Sequence, residues 1–361
     1  MSTTRTNTAK WIVSSNRWQI NVQKDGVRKT FVSSTPGRAG QKEANHKADV
    51  WLASNIATTA VRIDALYTQF IASKKESTSR SNYANIESRY KNHIKEYIGF
   101  KRISTLTEQD LQNIINKAYA QHGLSAKSLK NLRGDLSSFL KFCRMKHVTE
   151  LTAEFLTIPA AAKRPCKCIL QPQALTILMS TETTVYRGQR LRDPYVNAYR
   201  LAVLTGMRPG ELHGLRWSDL SGRKLTLHHA INAYDEITQG KNKNAVRPII
   251  LSDLALKYIQ EQKAYSEKNE LIFPISNLQS YRNYWRRYCK SNNISYVTPY
   301  ELRHTFVSVA QVLPEGQVKQ IVGHSHNMDT FGVYGHTFSN QIEQASQKLN
   351  EVFTEIIQKK A

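Results

Sequence analysis

The period of the apolar residues changes along this chain, and each change marks a different kind of structure. Between residues 11 and 33 the pattern alternates, with Trp18, Ile20 and Val22 on one side of an extended segment, as expected where successive side chains point to opposite faces of a strand. Asp25-Gly26 is a two-residue hairpin signal because these residue types accept positive φ, and Val27 to Val32 reads as the return strand. From Gly40 the pattern turns helical, running through Gln41 to Trp51. Residues 62–158 keep a helical period. Thr107 followed by Asp110 predicts an N-cap, Gly123 a stop, and Ser125 a second start. After Ser125, Leu129, Leu132, Leu136, Phe139 and Cys143 recur at three- and four-residue steps, the stripe of a helix with one buried face. Ile158 to Pro165, bracketed by prolines, reads as a linker.

Beyond the linker the pattern is mixed. Leu170 to Met179 and Pro194 to Leu204 read as helices, Lys224 to Asn232 and Val246 to Leu251 as strands, and helices resume at Leu254. In the last segment, Asn340 to Lys360, the residues Ile342, Ala345, Leu349, Val352, Phe353 and Ile356 fall at helical steps, which predicts an amphipathic helix. The predicted fold class is α+β, mainly helical. A small N-terminal β-sheet/helix domain is expected over residues 1–60 and a helical domain plus linker over 61–165. A mixed, mostly helical domain with a small antiparallel sheet is expected over 166–361.

At 361 residues the chain is long enough for two or three domains, each with its own core. No apolar run approaches the ~18 residues a membrane span needs, and Met1 to Lys10 lacks an apolar signal core, so the expected setting is the cytoplasm. Four cysteines are too few for a disulfide framework. Cys166-Lys-Cys168 lacks the spacing and the second pair of a zinc site, so no metal or cofactor is expected. The net charge of +23 changes the picture more. It is spread over all three predicted domains rather than held in one tail, which points to a polyanionic partner contacted by several domains, most simply duplex DNA in the nucleoid. Lys24, Arg28 and Lys29 decorate the predicted hairpin, and Lys127, Lys130 and Arg133 lie off the apolar stripe after Ser125. These six are candidate DNA-binding residues.

Four short segments carry chemistry: Thr205-Gly-Met-Arg-Pro-Gly-Glu-Leu212, Tyr300-Glu-Leu-Arg-His-Thr305, Val322-Gly-His-Ser325 and Val333-Tyr-Gly-His336. Together they hold what one phosphodiester requires. The planar forks of Arg208 and Arg303 can donate paired hydrogen bonds to nonbridging oxygens and keep their charge, where it stabilises the transition state. Tyrosine is a weak nucleophile at its free pKa of ~10 and needs cationic neighbours or a base. A lysine suits the role of general acid for a leaving 5′ oxygen, and no metal is required where side chains supply the positive charge.

In this order and spacing the segments resemble those of the tyrosine recombinase family, the phage-lambda-type integrases. The resemblance covers the catalytic half closely and the three-part layout of the whole chain. It implies that Arg208 and Arg303 are the two arginines, that Glu211 orients Arg208, that His324 bonds the scissile phosphate and that Tyr334 is the nucleophile. The family's catalytic lysine lies in a β-hairpin turn between the two arginine segments. Lys241 and Lys243 both fall there; Lys243, four residues before Arg247, is preferred and Lys241 remains the alternative. His336 is read as local support for the tyrosine segment, and His304 as a packed helix residue. One position departs from the pattern: the family usually has histidine three residues before the second arginine, and this chain has Tyr300. A tyrosine can donate to a phosphate oxygen but is no ready base at neutral pH, so Tyr300 is expected to position phosphate while His324 or solvent takes the proton.

The resemblance further implies strand exchange through a 3′-phosphotyrosine and a Holliday junction by a homotetramer, for a prophage or conjugative transposon. The implied partners are double-stranded DNA, with core-type sites and arm-type sites bound by the N-terminal domain, and an excision factor or DNA-bending protein. A C-terminal helix that docks on a neighbouring protomer is also implied. A type IB topoisomerase-like enzyme and a catalytically weak DNA-binding protein are the alternative readings.

Overall fold

The structure is a computed structural model and describes residues 5–24, 27–53, 61–164, 166–238, 246–323 and 339–358. The chain divides into two compact units, residues 1–165 and 166–361.

The first unit opens with an antiparallel sheet, β1 (Lys10–Ile12), β2 (Arg17–Lys24) and β3 (Val27–Ser33), in the order β1-β2-β3. Alternation places Ile20 and Val22 on one face of β2, where they pack with Ala44, Ala48 and Leu52 of α1 (Gly37–Ala53). A second hydrophobic cluster belongs to α2 (Ile63–Ser77), α3 (Arg80–Arg89), α4 (Lys95–Ile98), α5 (Glu108–His122) and α6 (Ala126–Met145). A π-helical turn, Tyr90–Ile94, joins α3 to α4. The helix ends follow the sequence. Thr107 accepts from Asp110 N while the Asp110 carboxylate accepts from Thr107 N, a capping box. Gly123 ends α5 at φ 58°, and the Ser125 hydroxyl caps α6. Leu129, Leu132, Leu136, Phe139 and Cys143 are all fully buried, so the predicted stripe is the packed face.

The second unit begins with α7 (Pro172–Ser180), the hairpin β4 (Thr183–Tyr186) and β5 (Gln189–Arg192), α8 (Val196–Thr205) and α9 (Pro209–His213). The apolar pattern does not predict this hairpin. Its turn holds Arg187 at φ 52° and Gly188 at φ 80°, the paired positive values of a two-residue turn, but Arg-Gly is a weak signal beside Asn-Gly. Four further strands follow: β6 (Leu220–Ser221), β7 (Lys224–Leu227), and β8 (Ala230–Ile231) paired with β9 (Ile237–Thr238) in a short hairpin. Then β10 (Arg247–Ile250) pairs antiparallel with β7, giving a sheet of order β10-β7-β6. The helices α10 (Asp253–Ser266), α11 (Leu278–Ser291), α12 (Pro299–Val309), α13 (Glu315–Val322) and α14 (Ser339–Gln358) complete the unit. Among the described residues, all ten positions of α8 are buried, which makes it the central helix of the unit. The last helix, α14, buries Ala345, Leu349 and Phe353 in the hydrophobic core of its own unit, and Asn350 accepts from Leu254 N. Among the described residues, no helix is long and apolar enough to cross a membrane.

Candidate active site

The site begins where α8 stops. Gly206 caps α8 at φ 66°, and a Cβ there would stand 2.5 Å from the ring of Phe306 on α12. Glycine is therefore required twice, by backbone conformation and by the close approach of α12. This turn delivers Arg208 to the N-cap of α9, with Pro209 at the first helical position, which suits a residue lacking an N–H. Glu211 folds back on the cap, accepting from Arg208 N at 2.9 Å and from the Arg208 guanidinium at 2.7 Å.

Glu211 is 5% exposed and is shared. Arg247, the first residue of β10, donates to both its oxygens at 3.1 Å. Burial opposes ionisation of Glu211, but the hydrogen bonds and charge of Arg247, then those of Arg208, outweigh it and hold the carboxyl below its ordinary range. The resemblance implies a role for Glu211 but none for Arg247. Its role depends on β10 pairing with β7, and local spacing carries no sign of that.

Arg303 comes from the second turn of α12. The helix starts with a capping box in which Thr298 N donates to Glu301, and Glu301 also accepts from Cys168 N at 3.0 Å. Thr305 accepts from Leu170 N, so the start of the unit is tied to the helix that carries Arg303. Arg303 is 1% exposed and donates to Gly206 O at 2.9 Å and Val322 O at 2.6 Å. Burial, then the neighbouring Arg208 cation, pushes its pKa down to about 10, which still leaves it charged at neutral pH.

The end of α13 gathers these cations. Arg247 Nε donates to Ile321 O at 2.7 Å, Arg303 to Val322 O, and Arg208 to Gly323 O at 3.3 Å. Three successive carbonyls thus receive three arginines from three elements. The C-terminal carbonyls of a helix have no partner within it and carry its negative dipole end, so α13 offsets the mutual repulsion of the arginines. Gly323, at φ 64°, caps the helix, and His324 is the next residue in the sequence.

Arg208 and Tyr300 line one cavity of about 450 Å³. Apolar parts of Pro209, Ile231, Leu278 and Pro299 wall it, and Tyr281 and Arg282 of α11 join them. Tyr300 is 44% exposed and meets the ring of His304 edge-on, with centroids 5.4 Å apart. His304 is half-buried, and burial, then the nearby Lys167, lowers its pKa and so favours the neutral imidazole. Among the described residues the structure therefore brings together Arg208, Glu211, Arg303 and Tyr300, four of the residues for which the resemblance implies a role. Lys241, Lys243, His324, Tyr334 and His336 lie outside the described residues.

In the first unit, Arg28 and Lys29 are exposed on β3, with the Lys29 ammonium 5.4 Å from the centroid of the Phe31 ring; the side chain of Lys24 is not among those described. Lys127 and Lys130 are exposed on α6. Arg133 is half-buried and donates to Leu156 O at 3.2 Å, which holds the segment after α6 against the helix.

Comparison with known proteins matches the chain to one family. The sequence pattern of the phage integrase family matches residues 169–341, and that of the phage integrase N-terminal SAM-like domain matches residues 64–119. The chain belongs to the phage integrase family. Membership makes it a tyrosine-type DNA recombinase, with the two arginine segments of the site inside the matched region. The ICEBs1 integrase of Bacillus subtilis is 23% identical over 90% of this chain and 93% of its own length. A protein from Caldanaerobacter subterraneus described as tyrosine recombinase XerC-like is 24% identical over 91% of this chain and 92% of its own. Among solved structures, the Tn1549 transposon integrase in complex with transposon right end DNA superposes with a TM-score of 0.62 at 17% identity, covering 79% of this chain and 98% of that one. A lambda integrase tetramer bound to a Holliday junction gives a TM-score of 0.58 at 16% identity, covering 89% and 96%.

Proposed function

We propose that this integrase cleaves and rejoins duplex DNA at specific sites, moving a prophage or conjugative transposon into and out of a chromosome. The observation that carries the reading is the convergence of Arg208, Arg247 and Arg303 on one helix end, with Glu211 as the carboxylate shared by Arg208 and Arg247. That arrangement holds positive charge in fixed orientation before substrate arrives, which is the most effective way to stabilise charge developing on a phosphoryl group. Arg208 and Arg303 bind the nonbridging oxygens. Arg303 spends two donors on backbone carbonyls, and the remaining N–H groups of its fork serve the phosphate. Arg247 makes no such contact; it holds Glu211, which holds Arg208.

Tyr334 Oη attacks phosphorus, the 5′ oxygen leaves with a proton from Lys243 (Lys241 being the alternative), and a 3′-phosphotyrosine forms. His324 or solvent accepts the tyrosine proton, and Tyr300 donates to a phosphate oxygen. The 5′ hydroxyl of a partner strand reverses the step, and the covalent bond conserves the energy of the phosphodiester, so no nucleotide cofactor enters. Four protomers on two sites pass through a Holliday junction. Residues 1–60 bind arm-type sites, 61–165 the core-type sites and 166–361 carry the chemistry, and an excision factor or DNA-bending protein sets direction.

A nicked suicide duplex carrying the element's end tests this. The wild-type chain should become covalently linked to DNA, and Tyr334→Phe should not. An undiminished adduct from Tyr334→Phe would sink the assignment. Tyr300→Phe should slow cleavage about tenfold or more, as loss of one hydrogen bond to a charged group predicts; cleavage at the wild-type rate would remove Tyr300 from the site.

A further inference from the structure

In the first unit, α3 and α6 line a polar groove of about 470 Å³. Arg89 and Asp135 form its floor, paired through both guanidinium and carboxylate with contacts of 2.5 and 3.1 Å. Asp135 is 7% exposed, so the floor is fixed. Above it, Asn82 and Asn85 stand exposed on α3, and Lys130 and Asn131 on α6. Among the described residues, the amides of Asn82, Asn85 and Asn131 make no side-chain hydrogen bond. The exposed amides of α5 behave differently, pairing with each other at four-residue steps, Gln109 with Asn113 and Gln112 with Asn116.

Gly134 is the second observation. It lies inside the twenty-residue helix α6, exposed and lining the same groove. Glycine weakens a helix interior relative to alanine. A Cβ at Gly134 would meet nothing within 4 Å, so packing within this chain gives no reason for glycine there. A surface that approaches from outside does.

We propose that Asn85 and Asn131 read adenine edges in the major groove of the core-type site, with Gly134 placed where the duplex comes closest. This rests on the reading of the chain as a site-specific DNA recombinase. An asparagine amide offers one acceptor and two donors, the pattern that matches N6 and N7 of adenine. Lys130 beside them supplies charge for the flanking phosphates, and the Arg89–Asp135 pair fixes the angle between the two helices, hence the spacing of the two amides.

The full-length protein, Asn85→Ala, Asn131→Ala and Gly134→Ala would each be used to select duplexes from a random-sequence pool. Wild type should enrich a motif containing adenines. Each asparagine variant should lose discrimination at one adenine position by about tenfold to a hundredfold, the range for one bidentate contact. Replacing that adenine by 7-deaza-adenine, which removes the N7 acceptor, should weaken wild type but not the matching variant. Gly134→Ala should raise the thermal midpoint and at the same time weaken binding to the selected motif about tenfold, a pairing that a purely structural glycine would not give. Unchanged motifs from both asparagine variants, or wild-type affinity in Gly134→Ala, would overturn the proposal. Failure of wild type to select any duplex would instead bring down the function on which it rests.

Discussion

Glu211 is a carboxylate whose burial opposes ionisation, and two arginines outweigh that cost. Its folded pKa lies below the ordinary value, so the stability it contributes is fully present above the ordinary carboxylate range. That stability is lost as pH falls through the range toward the lower folded value. Glu211→Gln should therefore destabilise the protein by about 3 kcal/mol at pH 7, where it leaves Arg247 buried without its counter-charge. The gap to wild type should narrow below about pH 4. Urea unfolding of both proteins at pH 7 and pH 3.5 checks the sign, and parallel curves would show that Glu211 does not titrate as described. At this scale the sequence was legible where chemistry is local. Arg208 and Glu211 sit three residues apart, and Tyr300 and Arg303 likewise, so each pair falls within one short segment, and it is the resemblance that implies their roles. Arg247 was not legible, because nothing near it in sequence says that its strand will bring it to Glu211.

Elements were legible where their ends carry chemistry. Thr107, Gly123 and Ser125 punctuate the first unit as capping rules require. The hairpin of β4 and β5 was not, since its strands are four residues each and its turn uses Arg187 where asparagine would have signalled it. The last helix shows a different limit. Its amphipathic pattern was plain, but a pattern does not say which surface receives the apolar face. Here Leu349 and Phe353 of α14 belong to the core of their own unit. Phe353→Ala should cost about 3–5 kcal/mol, the usual loss for a buried aromatic, and lower the thermal midpoint of the full chain. A change under about 1 kcal/mol would mean that α14 is only loosely seated in solution.

For the whole molecule, the charge of +23 is a statement about binding rather than folding. Exposed lysines and arginines occur on both units, and each phosphate neutralised releases counterions, giving a log–log salt slope of about −0.9 per contact. A duplex gripped at six to ten phosphates should lose about 10³–10⁵ in affinity between 50 and 200 mM salt. Fluorescence anisotropy with the full chain measures this, and a slope shallower than about −2 would confine the contact to a single small patch. The end of α13 has a consequence at this scale too. Arg208, Arg247 and Arg303 belong to separate stretches of sequence and meet only when that helix is docked. Until then they are scattered positive charges with no common address. On the proposed function, a half-folded chain should still cling to DNA through its charge while lacking the assembled cluster that cutting needs, so folding itself would act as the interlock on strand cleavage.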